Sequence, residues 1–229
     1  MKNPAAFYNV VRTKYGPLRT AQVEGFELLI EVAEARDVKL WDFAYILATV
    51  WHETARTMQP VTEYGSSTYL RSKKYWPYIG RGYVQLTWEY NYEKATRYFR
   101  DVIGIDVDFV KNPELANDPD YAAIILFVGM AEGWFTGKKL SDYIDNIDEE
   151  DKEDLREFAN ARRIVNGTDR QVEIGEHALV FEAALKAGGY TGKTPIETIP
   201  SKSEVKETPK KPLWIRIAEV IVKGAFGLR

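Results

Sequence analysis

The fold of this chain turns on residues 43–65, "FAYILATVWHETARTMQPVTEYG". Its first thirteen residues, "FAYILATVWHETA", contain one formally charged side chain, Glu53, and a second carboxylate, Glu63, follows the break at Pro60. Phe43, Ile46, Leu47, Val50 and Trp51 recur at helical spacing, while Ala44, Tyr45, Ala48 and His52 fill the other side. The pattern predicts a central, largely buried helix over about residues 41–58. At about 100° per residue, Glu53 falls beside Ile46 and Val50, on the edge of the apolar stripe.

An acid in that position has two readings. It is a buried glutamate paired with an arginine, with Arg56 and Arg81 as candidates, or it is a general acid that burial keeps protonated. Glu63, in a polar loop with Gly65 and two serines, is either an ordinary surface acid or an ionised catalytic carboxylate. Two carboxylates in contrasting surroundings suit glycosidic-bond hydrolysis, where one protonates the leaving oxygen and the other activates water or attacks the sugar.

Outward from this centre, residues 20–36 read as an amphipathic helix through Val23, Phe26, Leu29, Ile30 and Ala33. The segment 59–81 reads as loop with short strands, "YVQLTW" as a strand, and "EYNYEKATRYFRDV" as helix. In "NDPDYAAIILFVGMAEGWF", Asp118 is placed to cap and Pro119 to occupy the first turn of a second core helix. The acidic stretch 145–157 reads as a solvated helix entry, with Asn166-Gly167 as a stop. A last domain helix over 169–186 ends at Gly188-Gly189.

The chain of 229 residues is long enough for one main domain with an appendage. It has no cysteine, so thiol chemistry and disulfides are excluded. The two histidines, His52 and His177, have no metal-site spacing, and no metal or cofactor is expected. His52 reads as a packed, hydrogen-bonded residue more readily than as a catalyst. The first residues lack the apolar core of a signal peptide, so the expectation is synthesis in the cytoplasm, with any exit left to something other than such a peptide.

Residues 191–212, "TGKTPIETIPSKSEVKETPKKP", carry four prolines and five lysines and have linker composition. Residues 213–229, "LWIRIAEVIVKGAFGLR", place Arg216, Glu219 and Lys223 on one stripe of an otherwise apolar helix too short and too charged to span a bilayer. That helix either binds a membrane surface or docks on protein. From Thr191 onward eight basic residues face four acidic ones, a net +4, which with −3 overall leaves −7 on residues 1–190. So acidic a domain is a poor nucleic-acid binder.

Four motifs, "AYILATVWHETARTMQPVTEYG", "GRGYVQLTWEYNY", "NPELANDPDYAA" and "RRIVNG", in this order over residues 40–185, resemble the catalytic domain of glycoside hydrolase family 19, which includes chitinases and phage endolysins. The resemblance implies a mostly α (α+β), lysozyme-like domain over 1–190 with a small strand and loop region lining a cleft. It implies an inverting mechanism on β-1,4-linked N-acetylhexosamine polymers, with Glu53 as general acid and Glu63 as general base. Thr87 stands where the family usually has a serine that helps hold the attacking water. Gln85, Asn91 and Asn166 match substrate-contacting positions.

The three amide side chains also suit sugar hydroxyls and acetamido groups by their own chemistry; the alternatives are that Gln85 and Asn91 merely bond local backbone and that Asn166 only terminates a helix. Tyr64, Tyr69, Tyr75, Trp76, Tyr78, Tyr83 and Trp88 are candidates for a sugar-stacking groove, Tyr83 and Trp88 foremost. The expected partner is a polysaccharide, peptidoglycan before chitin, bound by a monomer. A non-catalytic glycan-binding module is the reading from another class.

Overall fold

The computed structural model describes residues 1–192. It is a mostly helical domain with one two-stranded sheet. In chain order the elements are α1 (Pro4–Tyr15), α2 (Thr20–Ala35), α3 (Leu40–Glu53), β1 (Val61–Thr62), α4 (Ser67–Arg71), β2 (Arg81–Gly82), α5 (Glu89–Tyr98), α6 (Pro119–Glu132), α7 (Asp151–Ala161) and α8 (Gln171–Ala187). The expected linker beyond Gly192 and the expected helix over 213–229 lie outside the described residues.

Two helices form the heart of the core. Every residue of α3 from Phe43 to Trp51 is buried, and α3 packs most extensively on α8, which also takes α7 and α1. Each large apolar side chain fully buried in this way contributes about 1.5–3 kcal/mol, enough in sum to make α3 a stiff platform for whatever its end carries. In α6 nine consecutive residues, Ala122 to Met130, are buried. Asp118 caps α6 as expected, its Oδ1 accepting from the backbone N–H of Asp120 at 3.0 Å and of Tyr121 at 3.3 Å, with Pro119 in the first turn.

Three elements differ from the sequence reading. Helix α3 stops at Glu53, five residues before Met58, because Thr54 captures the chain. Its hydroxyl donates to the Val50 carbonyl at 2.7 Å and accepts from the Met58 N–H at 3.1 Å, while the Arg56 N–H donates back to Trp51 at 2.8 Å. Ala55, Arg56 and Met58 then take positive φ, which turns the chain inward and buries Met58. Gly25 of α2 makes room for this hook: a Cβ there would lie 1.9 Å from the Met58 carbonyl oxygen.

"YVQLTW" is a tight turn rather than a strand. Arg81 and Leu86 exchange backbone hydrogen bonds at 3.1 and 2.8 Å, and Gln85 and Trp88 have φ of 55° and 73°. The strands are shorter and earlier, with Val61 paired to Gly82 and Thr62 to Arg81 in antiparallel register.

Helix α1 was not foreseen, although its signals are local: Asn3 caps it, Pro4 opens it, and Phe7, Tyr8 and Val11 lie one turn apart on a buried face. The Phe7 ring meets Phe26 edge-on at 5.6 Å, joining α1 to α2. At the other end of the domain, Gly188 and Gly189 terminate α8 as expected, and the Asn3 N–H donates to the Gly188 carbonyl at 2.9 Å.

Candidate active site

Glu53 sits at the last position of α3, where the helix dipole disfavours an anion, and a cation from elsewhere compensates. The Arg162 guanidinium donates from Nη1 to Glu53 Oε1 at 2.5 Å; the arginine side chain is 1% exposed and the glutamate 15%. Arg162 is itself held by its Nε–H, which donates to the Asp169 carbonyl at 3.0 Å. The partner is thus neither Arg56, which lies over the Trp51 ring, nor Arg81, which donates to the carbonyls of Pro77 and Ile79 and to the Tyr92 hydroxyl. Tyr45, buried in α3, registers both charges: burial raises its hydroxyl pKa well above the usual tyrosine value, Glu53 adds to the rise, and Arg162 opposes it.

The turn that positions Arg162 is the "RRIVNG" stretch. One helical turn over Arg162–Ile164 follows α7, and the N–H groups of Val165 and Asn166 donate to the Arg162 carbonyl at 3.1 and 3.0 Å. Gly167 has φ of 57°, a conformation glycine adopts without strain. Asn166 is exposed on this turn, tied to Arg162 through its backbone N–H.

Glu63 is fixed by neutral donors. Tyr75 donates its hydroxyl to Oε1 at 2.9 Å and the Gly80 N–H donates to Oε2 at 3.0 Å, while the Glu63 N–H donates to the Gly80 carbonyl at 2.7 Å. Desolvation first, and the Glu63 carboxylate second, push the Tyr75 hydroxyl pKa up, which keeps it a donor. Behind this pair the Gln85 side chain lies across Gly80, and a Cβ on Gly80 would come within 2.6 Å of Gln85 Oε1. A side chain at Gly80 would therefore displace the Gln85 amide from its place.

Gln85 Nε2 donates to the Val61 carbonyl at 3.0 Å, the Thr87 hydroxyl donates to the Gln85 carbonyl at 2.6 Å, and Asn91 Nδ2 donates to the Thr87 carbonyl at 2.9 Å. The structure thus brings Glu63, Gln85, Thr87, Trp88 and Asn91 into one connected loop cluster. Gln85 and Asn91 spend their amide N–H groups on backbone carbonyls, the structural role weighed for them from sequence. Asn91 is 5% exposed.

Tyr83 is corrected by the structure. It is 1% exposed and packs in the core, because the tight turn after β2 points it inward with Leu86. Burial raises its hydroxyl pKa, and no sugar can stack on it. Tyr75, Trp76, Tyr78 and Trp88 do gather around one recess, joined by Tyr90. The Tyr75 and Trp88 rings meet edge-on with centroids 5.2 Å apart.

Two positioning residues escaped the sequence reading. Arg162 is one. Asn117 is the other: its Oδ1 accepts from the Gly82 N–H at 3.0 Å and its Nδ2 donates to the Thr62 hydroxyl at 2.7 Å, pinning β1 to β2. Both stand inside or beside motifs already noted, and the signal that could have found Arg162 is the need of a buried acid for a buried cation.

Among the described residues, Asp145, Glu149 and Glu157 bring carboxylate oxygens within 4.8 Å of one another, the one such group close enough to share an ion. Asp145 and Glu149 precede α7 and Glu157 lies within it, accepting from the Asp145 N–H at 3.2 Å.

Comparison with solved structures finds a likeness to the crystal structure of a bacterial family 19 chitinase, with a TM-score of 0.47 and 20% sequence identity, covering 85% of this chain and 98% of that one. No protein-family model matches the chain, and no curated protein matches it.

Proposed function

We propose that this protein hydrolyses the β-1,4-linked N-acetylhexosamine backbone of bacterial peptidoglycan by an inverting general acid/base mechanism. The observation that carries the reading is that the two carboxylates of the motif are each held in place by fixed partners. Glu53 is anchored through one oxygen, Oε1, to a fully buried arginine at the end of a rigid helix, whereas Glu63 is held through both oxygens by a tyrosine hydroxyl and a backbone N–H. The arginine contact is the paired-glutamate alternative of the sequence reading, so the two roles rest on the motifs rather than on these surroundings. The four motifs in family order supply the assignment: Glu53, through its Oε2, protonates the leaving oxygen, and Glu63 takes the proton of the attacking water.

In this mechanism the water stands between Glu63 and the anomeric carbon, with Thr87 beside it. The Thr87 hydroxyl donates to the Gln85 carbonyl, so its lone pairs are left to accept a hydrogen bond from that water. Gln85 keeps its carbonyl oxygen for a sugar hydroxyl or acetamido N–H group, whereas Asn91, with its Oδ1 buried, is corrected from a sugar contact to a support for the Thr87 turn. Asn166, exposed on the turn that carries Arg162, meets the sugar on the Glu53 side. Inversion requires the two carboxylates to stand about 6.5–9.5 Å apart across the cleft.

Chitin, built of the same type of linkage, is the alternative substrate. Mass spectrometry of the fragments released from purified sacculi and from chitin oligomers, run side by side, tests the assignment. Disaccharide-peptide fragments from sacculi, with their reducing-end sugar identified, are the expected result. Cleavage of chitin alone would make the protein a chitinase, and binding to sacculi without any released reducing sugar would make it a glycan-binding module.

A further inference from the structure

We infer that the aromatic recess beside Glu63 is a peptide subsite, built for a short peptide carrying carboxylates and a free amine, the chemistry of the peptide stems that peptidoglycan has and chitin lacks. The inference rests on the glycan-hydrolase reading above and names what that site takes besides sugar. The recess begins directly behind the candidate base, since Tyr75 donates its hydroxyl to Glu63 and shares its ring with the recess wall. Trp76, Trp88 and Tyr90 are 42%, 43% and 55% exposed. Three large aromatic side chains exposed side by side mark a surface that meets a ligand, where scattered ones would not.

Aromatic rings alone would suit sugar faces, and it is the charges that point to a peptide. Lys74 stands in the wall together with Glu89 and Glu93. The two glutamates are one turn apart on the same face of α5. Among the described residues no ion pair joins Lys74 to either of them, so opposite charges line one recess without neutralising each other. Glu89 accepts only the Tyr78 hydroxyl at 3.1 Å, and Glu93 has an exposed contact with Arg97 at 3.5 Å, a weak competitor. A neutral N-acetylhexosamine chain in this recess could hydrogen-bond these exposed groups but would offer none of them a counter-charge. A stem peptide offers an ammonium to the glutamates and a carboxylate to Lys74, while its aliphatic parts lie against the rings.

Calorimetric titration of the Glu53→Gln protein with two probes tests this: a disaccharide-tetrapeptide from peptidoglycan, and the same disaccharide without its peptide. The peptide-bearing probe should bind about fivefold to tenfold more tightly, the range expected of two or three exposed ion pairs, and the margin should shrink with added salt. It should largely vanish in a Lys74→Ala, Glu93→Gln variant, whose two sites are exposed and whose folding is checked by its melting curve. Equal affinity for the two probes, or a margin that survives the double substitution, would overturn the subsite. Failure of the hydrolase reading shows separately, as wild-type protein that releases no fragments from sacculi.

Discussion

Replacing Glu53 with glutamine removes two things at once. The amide cannot protonate a leaving oxygen, so hydrolysis of sacculi should fall by roughly 10² or more. It also leaves Arg162, 1% exposed, without its anion, so a stability loss of roughly 1–3 kcal/mol should accompany the change. Activity measured well below the variant's own melting transition separates the effects, and more than about a tenth of wild-type activity would remove Glu53 from the chemistry. Glu63→Gln should lose activity with a smaller cost in melting temperature, because Glu63 is half-buried and only the Gly80 donor is left facing an amide. Both acids were legible because each lies inside a local motif. The Glu53 to Arg162 pair was not, since it closes over 109 residues and leaves no periodic trace.

At the scale of elements, α7 holds an acid that its charged surroundings disguise. The stretch 145–157 reads as solvated, yet Asp154 is 2% exposed between α7 and α8. Burial first, and then Glu182, push its pKa up to about 7, against the opposing pull of Lys186 and of the nearby Trp41; Glu149 adds a small upward push. Lys186 is engaged at once by Glu182 and Asp148. An acid whose pKa is raised on folding makes the folded state bind the extra proton between the ordinary carboxylate range and about pH 7. This group's contribution therefore declines as pH rises through that window. Asp154→Asn should gain in melting temperature relative to wild type at pH 8 and show a smaller gain at pH 5. Asp42, raised to about 6, is common to both proteins and cancels in the comparison. An equal difference at the two pH values would contradict the linkage.

Helical period made α2, α3, α6 and α8 readable to within a few residues. It could not read where α3 stops, because a threonine hydroxyl and a positive-φ hook decide that, nor that "YVQLTW" folds back on itself, because its alternation is also that of a strand.

For the whole molecule, the described domain closes on itself at its end. Tyr190 is 4% exposed, donates its hydroxyl to the Val38 carbonyl at 2.7 Å, and packs its ring 5.2 Å from Phe43. Truncation after Gly192 should therefore leave the melting temperature and the activity on purified sacculi nearly unchanged. It should weaken binding to anionic liposomes, because each basic residue near such a surface contributes about 1 kcal/mol and the remaining domain carries −7. A large drop in melting temperature would instead favour the docking alternative for residues 213–229 over the membrane-surface one.

The claim on which the rest depends is that Glu53 and Glu63 invert a glycosidic bond. Proton NMR of the first product formed from a soluble peptidoglycan oligomer, recorded before mutarotation, reads this directly. The α-anomer should appear first, with no signal from Glu63→Gln over the same interval. Initial release of the β-anomer would contradict a water-mediated displacement between these carboxylates, and an unchanged rate in Glu63→Gln would contradict the assignment of the base.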